Sequence, residues 1–276
     1  MIDAHQHVWA PSQELYGWLG SAPETLRAEF TPAHLEAEMH SAGVTGGVLI
    51  QAANTFEDTR AMLRHADRHP WVLGVVGWVP LSEPAIAALA LDQLSSHVRF
   101  KGVRHLIHDE PDPDYLVRPA VIAGLAELER RDFPFDVVSV LDRHLAHVPT
   151  VARQRPALRM VIDHLGKPPI RERGWEPWAS LLRRAGEHEN VYAKISGLTT
   201  SAEWDRWTAA DLHPYIDHAL DCFGARRLMF GGDWPVATLT GTYADFVNVT
   251  REVISHYSAE EQRWIQGRAA QKFYRL

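Results

Sequence analysis

Two histidines separated by one residue form the first group in the sequence whose type and spacing suit chemistry. His5 and His7 lie in the apolar segment 2–8, which is typical of a β-strand. Residues two apart on a strand point to the same face and lie about 6.5–7 Å apart. Two imidazoles on one face can bind a metal ion or donate hydrogen bonds to a carbonyl oxygen. The alternative is a pair of structural histidines, but two aligned rings favour the functional interpretation.

A single carboxylate ends the last apolar segment of the chain. Asp233 closes the segment 228–233 and is followed by Trp-Pro. A carboxylate at the end of a strand suits a general base for water, or a metal ligand, whereas the alternative is a cap for the next helix. The two preceding glycines, Gly231 and Gly232, permit the close approach of another backbone.

Two further candidates end or interrupt other apolar segments. His164 is the last residue of segment 159–164, so its ring either points inward or bonds a loop carbonyl. Lys167 follows it and either binds an anionic or hydroxylated substrate or lies in solvent. Lys194 stands inside segment 191–196. Because an unpaired lysine is costly to bury, Lys194 is expected to meet a carboxylate or a substrate oxygen.

Two adjacent basic residues and two tryptophans complete the set of candidates. Arg104 and His105 lie near the end of segment 100–107. Since neighbouring residues on a strand point to opposite faces, only one of them can face a shared site unless the strand bends, and the sequence does not decide which. Trp18 lies in the first loop and Trp234 follows Asp233. Each either walls a pocket or packs in the core.

These candidates lie on a regular alternation of short apolar segments and amphipathic stretches. Strands that alternate with helices predict βα units and a parallel sheet. Eight such units in 276 residues favour closure into a (β/α)8 TIM barrel, whose active sites lie at the carboxyl ends of the strands. The stretch from Ser258 predicts an extra C-terminal helix packed on the barrel by Trp264, Ile265 and Phe273. The apolar segments are 2–8, 44–51, 72–79, 100–107, 133–140, 159–164, 191–196 and 228–233.

Several helix ends can also be identified. Thr31 followed by Pro32 is typical of an N-cap with proline at the first helical position, and Gly43 stands where a glycine often ends a helix. Ser258 and Glu261 have the spacing of a capping box. The helices between the apolar segments therefore have defined starts and stops.

The composition excludes several classes of protein. Hydrophobic residues make up 46% of the chain and charged residues 23%, which is ordinary for a globular protein and unlike disordered or collagenous chains. No apolar run is as long as the about 18 residues that a membrane-spanning helix needs. The net charge of −7 and the lack of a basic stripe argue against nucleic acid as a partner.

Cys222 is the only cysteine and no secretion signal is visible, so we expect a cytoplasmic protein. We also expect one domain, 1–276, that acts on a small molecule. The oligomeric state stays open.

Five short sequences occur in order along the chain. They are IDAHQHVW at 2–9, KGVRH at 101–105, DHLGKP at 163–168, KISGL at 194–198 and MFGGDWP at 229–235. Together they resemble the amidohydrolase superfamily, and within it the sugar-lactonase branch that holds L-fuconolactone and L-rhamnonolactone hydrolases and pyrone-dicarboxylate lactonases. The resemblance extends over nearly the whole chain. It implies a distorted (β/α)8 barrel that hydrolyses a carboxylic ester or a lactone.

The resemblance also implies roles for individual residues. His5 and His7 match the histidine pair of the first strand, and His164 matches a histidine of a later strand. Asp233 matches the aspartate of the eighth strand that activates water, and Lys194 matches a cationic position near the substrate carbonyl.

The resemblance bears on metal content as well. Members with two metals carry a bridging Lys or Glu on the fourth strand and further histidines on two later strands. Here Lys101 lies early in the fourth strand, away from the catalytic end, and the seventh strand offers a lysine. We therefore expect at most one divalent cation, zinc or manganese, held by His5, His7 and Asp233, or no required metal at all.

The sequence as a whole predicts a hydrolase that opens a sugar-acid lactone such as L-fuconolactone or L-rhamnonolactone. In this prediction Asp233 deprotonates water, while other residues polarise the carbonyl and bind the ring. The rival interpretations are a metal-dependent decarboxylase or another carboxylic ester hydrolase of the same superfamily, and a barrel that binds a small molecule without catalysis. The polarising residues are His5, His7, His164 and Lys194, and the substrate-binding residues are Lys194, Arg104, His105, Trp18 and Trp234.

Overall fold

Eight parallel strands in sequence order form the centre of this computed structural model, which describes residues 1–11 and 15–276. Each strand pairs with the next in the order β1 to β8. Every predicted apolar segment contains one strand, because runs of branched and aromatic residues fill a sheet that is covered on both faces. The strands are β1 Ile2–Gln6, β2 Gly46–Ile50, β3 Val72–Gly77, β4 Phe100–His105, β5 Phe135–Val137, β6 Met160–Ile162, β7 Val191–Ile195 and β8 Leu228–Phe230.

The barrel closes between the first and last strands. The Asp233 amide donates to the His5 carbonyl at 2.8 Å, and the His7 amide donates to the Trp234 carbonyl at 2.7 Å. Both bonds lie beyond the end of β8, so the seam is closed at the carboxyl ends of the strands. The predicted distorted (β/α)8 barrel is confirmed, and its seam brings the histidine pair beside Asp233.

The two glycines before Asp233 allow this seam to form. A Cβ atom on Gly231 would lie 2.7 Å from Cβ of His5, and one on Gly232 would lie 2.5 Å from Oδ2 of Asp3. The Gly232 amide donates to Oδ1 of Asp3 at 2.8 Å. The close backbone approach predicted from these glycines is confirmed.

Helices follow the strands and cover the outside of the barrel. Thr31 caps the helix Pro32–Ser41, and Gly43, with a φ of +70°, lies just beyond the end of that helix. Ser258 and Glu261 form the predicted capping box of the helix Ala259–Arg263. Across the described residues, no helix is both long enough and apolar enough to cross a membrane. The helices are α1 Pro32–Ser41, α2 Phe56–Arg68, α3 Pro84–Leu94, α4 Pro119–Arg130, α5 Asp142–Gln154, α6 Trp178–Gly186, α7 Ala209–Phe223, α8 Tyr243–Val253, α9 Ala259–Arg263 and α10 Ala269–Tyr274.

The C-terminal stretch closes the opposite end of the barrel. A π-helical turn joins α9 to α10, and Ile265 and Phe273 are fully buried while Trp264 packs partly buried against the core. Lys101, early in β4, donates through Nζ to the carbonyl of Arg275 at 3.0 Å. The predicted extra C-terminal helix is confirmed, in two segments, at the amino ends of the strands.

Candidate active site

Three imidazoles and one carboxylate meet at the carboxyl end of the barrel. Nε2 of His5 and Nε2 of His7 lie 3.1 Å apart. Oδ1 of Asp233 is 3.6 Å from Nε2 of His7 and 3.8 Å from Nε2 of His5, and its Oδ2 is 3.9 Å from Nδ1 of His164. All four side chains are buried. The structure therefore brings together the four residues that the sequence marked for catalysis.

The Asp233 carboxylate is ionised and incompletely bonded. Burial alone would raise its pKa, but the neighbouring His164, His7 and His5 side chains and the Lys167 ammonium hold the pKa of Asp233 well below its usual range. Its Oδ2 atom has no hydrogen-bond partner among the described residues. A buried carboxylate oxygen without a partner is costly, so this atom is suited to accept a hydrogen bond from a bound molecule such as water.

The histidines are held in defined orientations. Nδ1 of His7 donates to the Ile50 carbonyl at 2.8 Å, because a carbonyl can only accept, and this leaves Nε2 facing His5 and Asp233. Nδ1 of His164 lies 2.8 Å from Oγ of Ser196. Burial lowers the pKa of His164 to about 4, so its ring is neutral at pH 7.

A left-handed turn delivers two of the candidate side chains to the site. The φ angles of His164, Leu165, Gly166 and Lys167 are 54°, 51°, 73° and 55°. Residues with side chains lose about 1–2 kcal/mol each in this region, and such conformations persist mainly where a site requires them. The turn sets His164 against Asp233 and places Lys167 at the same pocket.

Gly197 completes the enclosure of Asp233 and His164. Its φ is +57°, and a Cβ atom there would lie 2.5 Å from Oδ2 of Asp233 and 2.8 Å from Nδ1 of His164. Only glycine satisfies both the backbone angle and the space. Gly197 is part of the motif KISGL, but the sequence indicated no role for it, because a residue without a side chain carries no chemical signal.

Arg104 faces the site and is paired. Its Nη1 donates to Oδ2 of Asp163 at 2.9 Å and lies 3.2 Å from Nε2 of His5, while its Nη2 donates to the Gln51 carbonyl at 2.7 Å. His105 points the other way, as strand alternation requires. The sequence did not decide which of Arg104 and His105 faces the site, and in the structure it is Arg104.

Lys194 lies beneath His5 and does not line the pocket. Its Nζ is 2.6 Å from Oδ2 of Asp136, 3.0 Å from Oδ1 of Asp163 and 3.1 Å from Nδ1 of His5. The Tyr274 hydroxyl of α10 donates to the same Asp136 oxygen at 2.7 Å. Lys194 therefore has two carboxylate partners, Asp136 and Asp163, where the sequence predicted one or a substrate oxygen. The expected contact with a substrate carbonyl is not available in this arrangement, because the His5 ring stands between Lys194 and Asp233.

A pocket of about 230 Å³ opens above Asp233. Its polar residues converge at the catalytic cluster, and apolar side chains form its walls, a combination typical of small-molecule sites. The lining residues are His7, Trp9, Trp18, Ala52, Arg104, Leu106, His108, Asp109, Val138, Val140, His164, Lys167, Asp233 and Val236.

Of the two tryptophan candidates, Trp18 lines the pocket and Trp234 packs in the core. Trp18 lines the pocket, anchored by a hydrogen bond of 2.8 Å from Nε1 to the Ala52 carbonyl. Trp234 is buried edge-on against Phe30 and lies outside the pocket.

His105 likewise lies outside the pocket lining. It stacks on Tyr115 with ring centroids 4.7 Å apart, and its Nε2 lies 2.8 Å from Oε1 of Glu110.

Among the polar and aromatic residues that line the pocket, three had no role assigned from the sequence: Trp9, His108 and Asp109. Trp9 could have been found, because it continues the alternation of His5 and His7 on the same face. His108 and Asp109 lie in a single 3-10 turn after β4, which is too short for any periodicity to indicate where its side chains point.

The cluster fits a single divalent ion. A tetrahedral zinc with Zn–N distances of about 2.0–2.1 Å places its ligand atoms about 3.3 Å apart. The separations among Nε2 of His5, Nε2 of His7 and Oδ1 of Asp233 are 3.1, 3.6 and 3.8 Å. Ligand atoms of His5, His164 and Asp233 also lie within 4.8 Å of one another. The nearby charges of Arg104 and Lys194 oppose a second cation at this site.

Comparisons with known proteins match the whole chain. A family model described as "Amidohydrolase" matches residues 2–276. The chain is 37% identical over 256 residues to an L-fucono-1,5-lactonase of Burkholderia ambifaria, covering 89% of this chain and 83% of that one. It is 33% identical over 286 residues to an L-fucono-1,5-lactonase of Burkholderia multivorans, covering 100% and 96%. A crystal structure of a Burkholderia multivorans amidohydrolase with bound zinc superposes with a TM-score of 0.92 at 30% identity, covering 100% and 99%.

Proposed function

The chain belongs to the amidohydrolase family, a family of enzymes, and from this premise we propose that it opens the lactone ring of a sugar acid by adding water to the ring carbonyl. L-fuconolactone and L-rhamnonolactone are the substrates proposed first. The observation that carries the proposal is the ionised Asp233 carboxylate, which has an unbonded oxygen at the pocket floor. Two L-fucono-1,5-lactonases at 37% and 33% identity support the choice of substrate class.

In the proposed reaction Asp233 acts first as a base and then as an acid. Its carboxylate takes a proton from water as the water oxygen bonds to the lactone carbonyl carbon, and the carbonyl electron pair moves onto oxygen. When the tetrahedral intermediate collapses, the bond from carbon to the ring oxygen breaks. The ring oxygen takes the proton back from Asp233, and the product is an open-chain hydroxy acid that ionises in water.

The surrounding residues orient the base and stabilise charge. Arg104 supplies positive potential at the pocket floor while it stays bonded to Asp163. His7 and His164 flank the Asp233 carboxylate and fix where its oxygens lie. Lys194 holds His5 from below, so we assign it a positioning role in place of the contact with the carbonyl.

We further propose that His5, His7 and Asp233 hold at most one zinc or manganese ion. When bound, such an ion would polarise a carbonyl or lower the pKa of a bound water. The zinc-bound relative supports the presence of a divalent site in this fold.

Metal analysis of the purified protein is expected to find no more than one divalent ion per chain, and chelated protein is expected to keep most of its activity. Arg104 and Lys194 already provide positive charge around His5, which disfavours a second ion and lessens the need for the first. Two ions per chain would contradict the stoichiometry. Complete loss of activity in chelator, restored by zinc or manganese, would show that the ion is required.

Sugar lactones are expected to be hydrolysed with a higher kcat/KM than simple esters. Trp9 and Trp18 form an aromatic corner, with ring centroids 5.1 Å apart, over a floor of polar groups, which suits a hydroxylated ring. A pH indicator detects the acid released from a panel of 1,4- and 1,5-aldonolactones, with aliphatic esters, amides, p-nitrophenyl esters and phosphoesters as comparison substrates. A preference for p-nitrophenyl esters or phosphoesters over every aldonolactone would contradict the substrate class.

The remaining proposals concern the surroundings of the enzyme. We propose that it works in the cytoplasm on a small molecule, with neither nucleic acid nor membrane as partner. The acidic net charge of −7 and the single cysteine support this proposal.

A further inference from the structure

Lys167 presents a positive charge to the pocket without an acidic partner. Its Nζ donates to the Thr200 hydroxyl at 3.1 Å, a neutral group. Within the described residues, no carboxylate oxygen lies close enough to form an ion pair with it, whereas Arg104 pairs with Asp163 and Lys194 pairs with two carboxylates. Lys167 is thus a pocket cation that forms no ion pair with any carboxylate in residues 1–11 and 15–276.

The cost of this arrangement is visible in the local structure. Burial lowers the pKa of Lys167, which shows that the ammonium has lost part of its hydration. Its backbone is left-handed, with φ 55° and ψ 66°, and its amide donates to the His164 carbonyl at 2.9 Å. A strained turn therefore carries a partly desolvated cation to the edge of the site.

The charge of Lys167 acts on the catalytic carboxylate. Lys167 and Asp233 line the same pocket, so their opposite charges face one cavity. A lactone is neutral, but the tetrahedral intermediate carries an oxyanion and the product carries a carboxylate. Asp233 is protonated while the oxyanion exists and is a carboxylate again when the product ionises. A nearby positive charge would therefore stabilise the oxyanion and offset the repulsion between Asp233 and the product carboxylate.

We propose that Lys167 binds the negative charge that ring opening creates, first on the carbonyl oxygen and then on the product carboxylate. The proposal rests on the lactonase function. A group that meets charge only as it develops favours the transition state over the neutral ground state, so it raises kcat more than it lowers KM. The same contact makes the sugar-acid product a better ligand than its neutral counterpart.

Calorimetry with two ligands tests this assignment. The wild-type protein is titrated with an aldonate and with the matching aldonamide, which has the same shape and no charge. We expect Lys167→Met and Lys167→Gln to weaken aldonate binding by about 10- to 100-fold, the range for loss of a charged hydrogen bond, with aldonamide binding changed less than about twofold. Lys167→Arg should retain part of the affinity. For lactone hydrolysis, kcat should fall more than KM rises.

Lys101→Met is the matched control, because Lys101 lies at the opposite end of the barrel and donates to the Arg275 carbonyl. It should change neither ligand's affinity. Unchanged aldonate affinity in the folded Met and Gln variants would overturn the proposal, as would equal affinity of the wild type for aldonate and aldonamide. If the wild type hydrolyses no lactone, the proposed function fails, yet the comparison of the two ligands still decides whether Lys167 is a carboxylate site.

Discussion

Asp233→Asn is expected to reduce turnover of an aldonolactone by at least the ~10²-fold typical of losing a general base. The amide keeps the shape of the side chain but cannot take a proton from water. Steady-state rates with freshly prepared lactone measure the effect, and circular dichroism checks that the barrel remains folded. The backbone contact from the Asp233 amide to the His5 carbonyl does not depend on the side chain, so the seam should stay closed.

Asp92→Asn provides the matched control for this change. Asp92 is an exposed residue that pairs with Arg131 far from the pocket, so its loss should leave turnover unchanged. Near-normal turnover in Asp233→Asn would mean that another group removes the proton from water, and the assignment of the base would have to be abandoned.

Gly197→Ala is expected to lower kcat/KM by about 10²-fold or more, because a displacement of about 1 Å in a catalytic group can cost that much. The new methyl group would overlap Oδ2 of Asp233 and Nδ1 of His164 and force them apart. The left-handed backbone adds a loss of stability of about 1–2 kcal/mol. Kinetics and thermal unfolding of the same variant separate the two effects.

Gly43→Ala separates the backbone effect from the site effect. Gly43 also has a positive φ of +70°, but a Cβ atom there meets only the end of the Arg251 side chain at 3.4 Å. It should lose stability and keep its activity. If Gly197→Ala showed the same pattern, with stability reduced and kcat/KM intact, the close enclosure of Asp233 and His164 would not be required for catalysis.

The positions of the strands and of the candidate catalytic cluster were predictable because both follow from local patterns. Apolar segments of strand length mark the barrel, and polar residues at their carboxyl ends must meet where parallel strands end together. His5, His7, His164 and Asp233 meet there for this reason.

The directions of other side chains depend on tertiary packing that no local pattern reveals. Lys194 was expected to meet either a carboxylate or a substrate oxygen, because an unpaired lysine is costly to bury, and the structure pairs it with two carboxylates. Its place below His5 depends on Asp136 of β5 and Asp163, which converge only after the barrel closes.

The left-handed turn at 164–167 could not be read from the sequence either. Three of its four residues carry side chains, which ordinarily avoid this backbone region, so propensity argues against the conformation. As a result, the sequence left open whether Lys167 met substrate or solvent. The structure places Lys167 on the pocket and Trp234 in the core.

The most direct test monitors the ring opening of freshly prepared L-fucono-1,5-lactone by nuclear magnetic resonance, with either wild-type protein or Asp233→Asn. It asks whether this chain is a lactonase that uses Asp233. The wild type should open the ring well above the spontaneous rate and form one carboxylate per lactone, while the variant should leave the rate close to that of buffer. A wild-type rate no faster than buffer with this lactone and with the other aldonolactones of the panel would contradict the function. Equal acceleration by both proteins would contradict the role of Asp233.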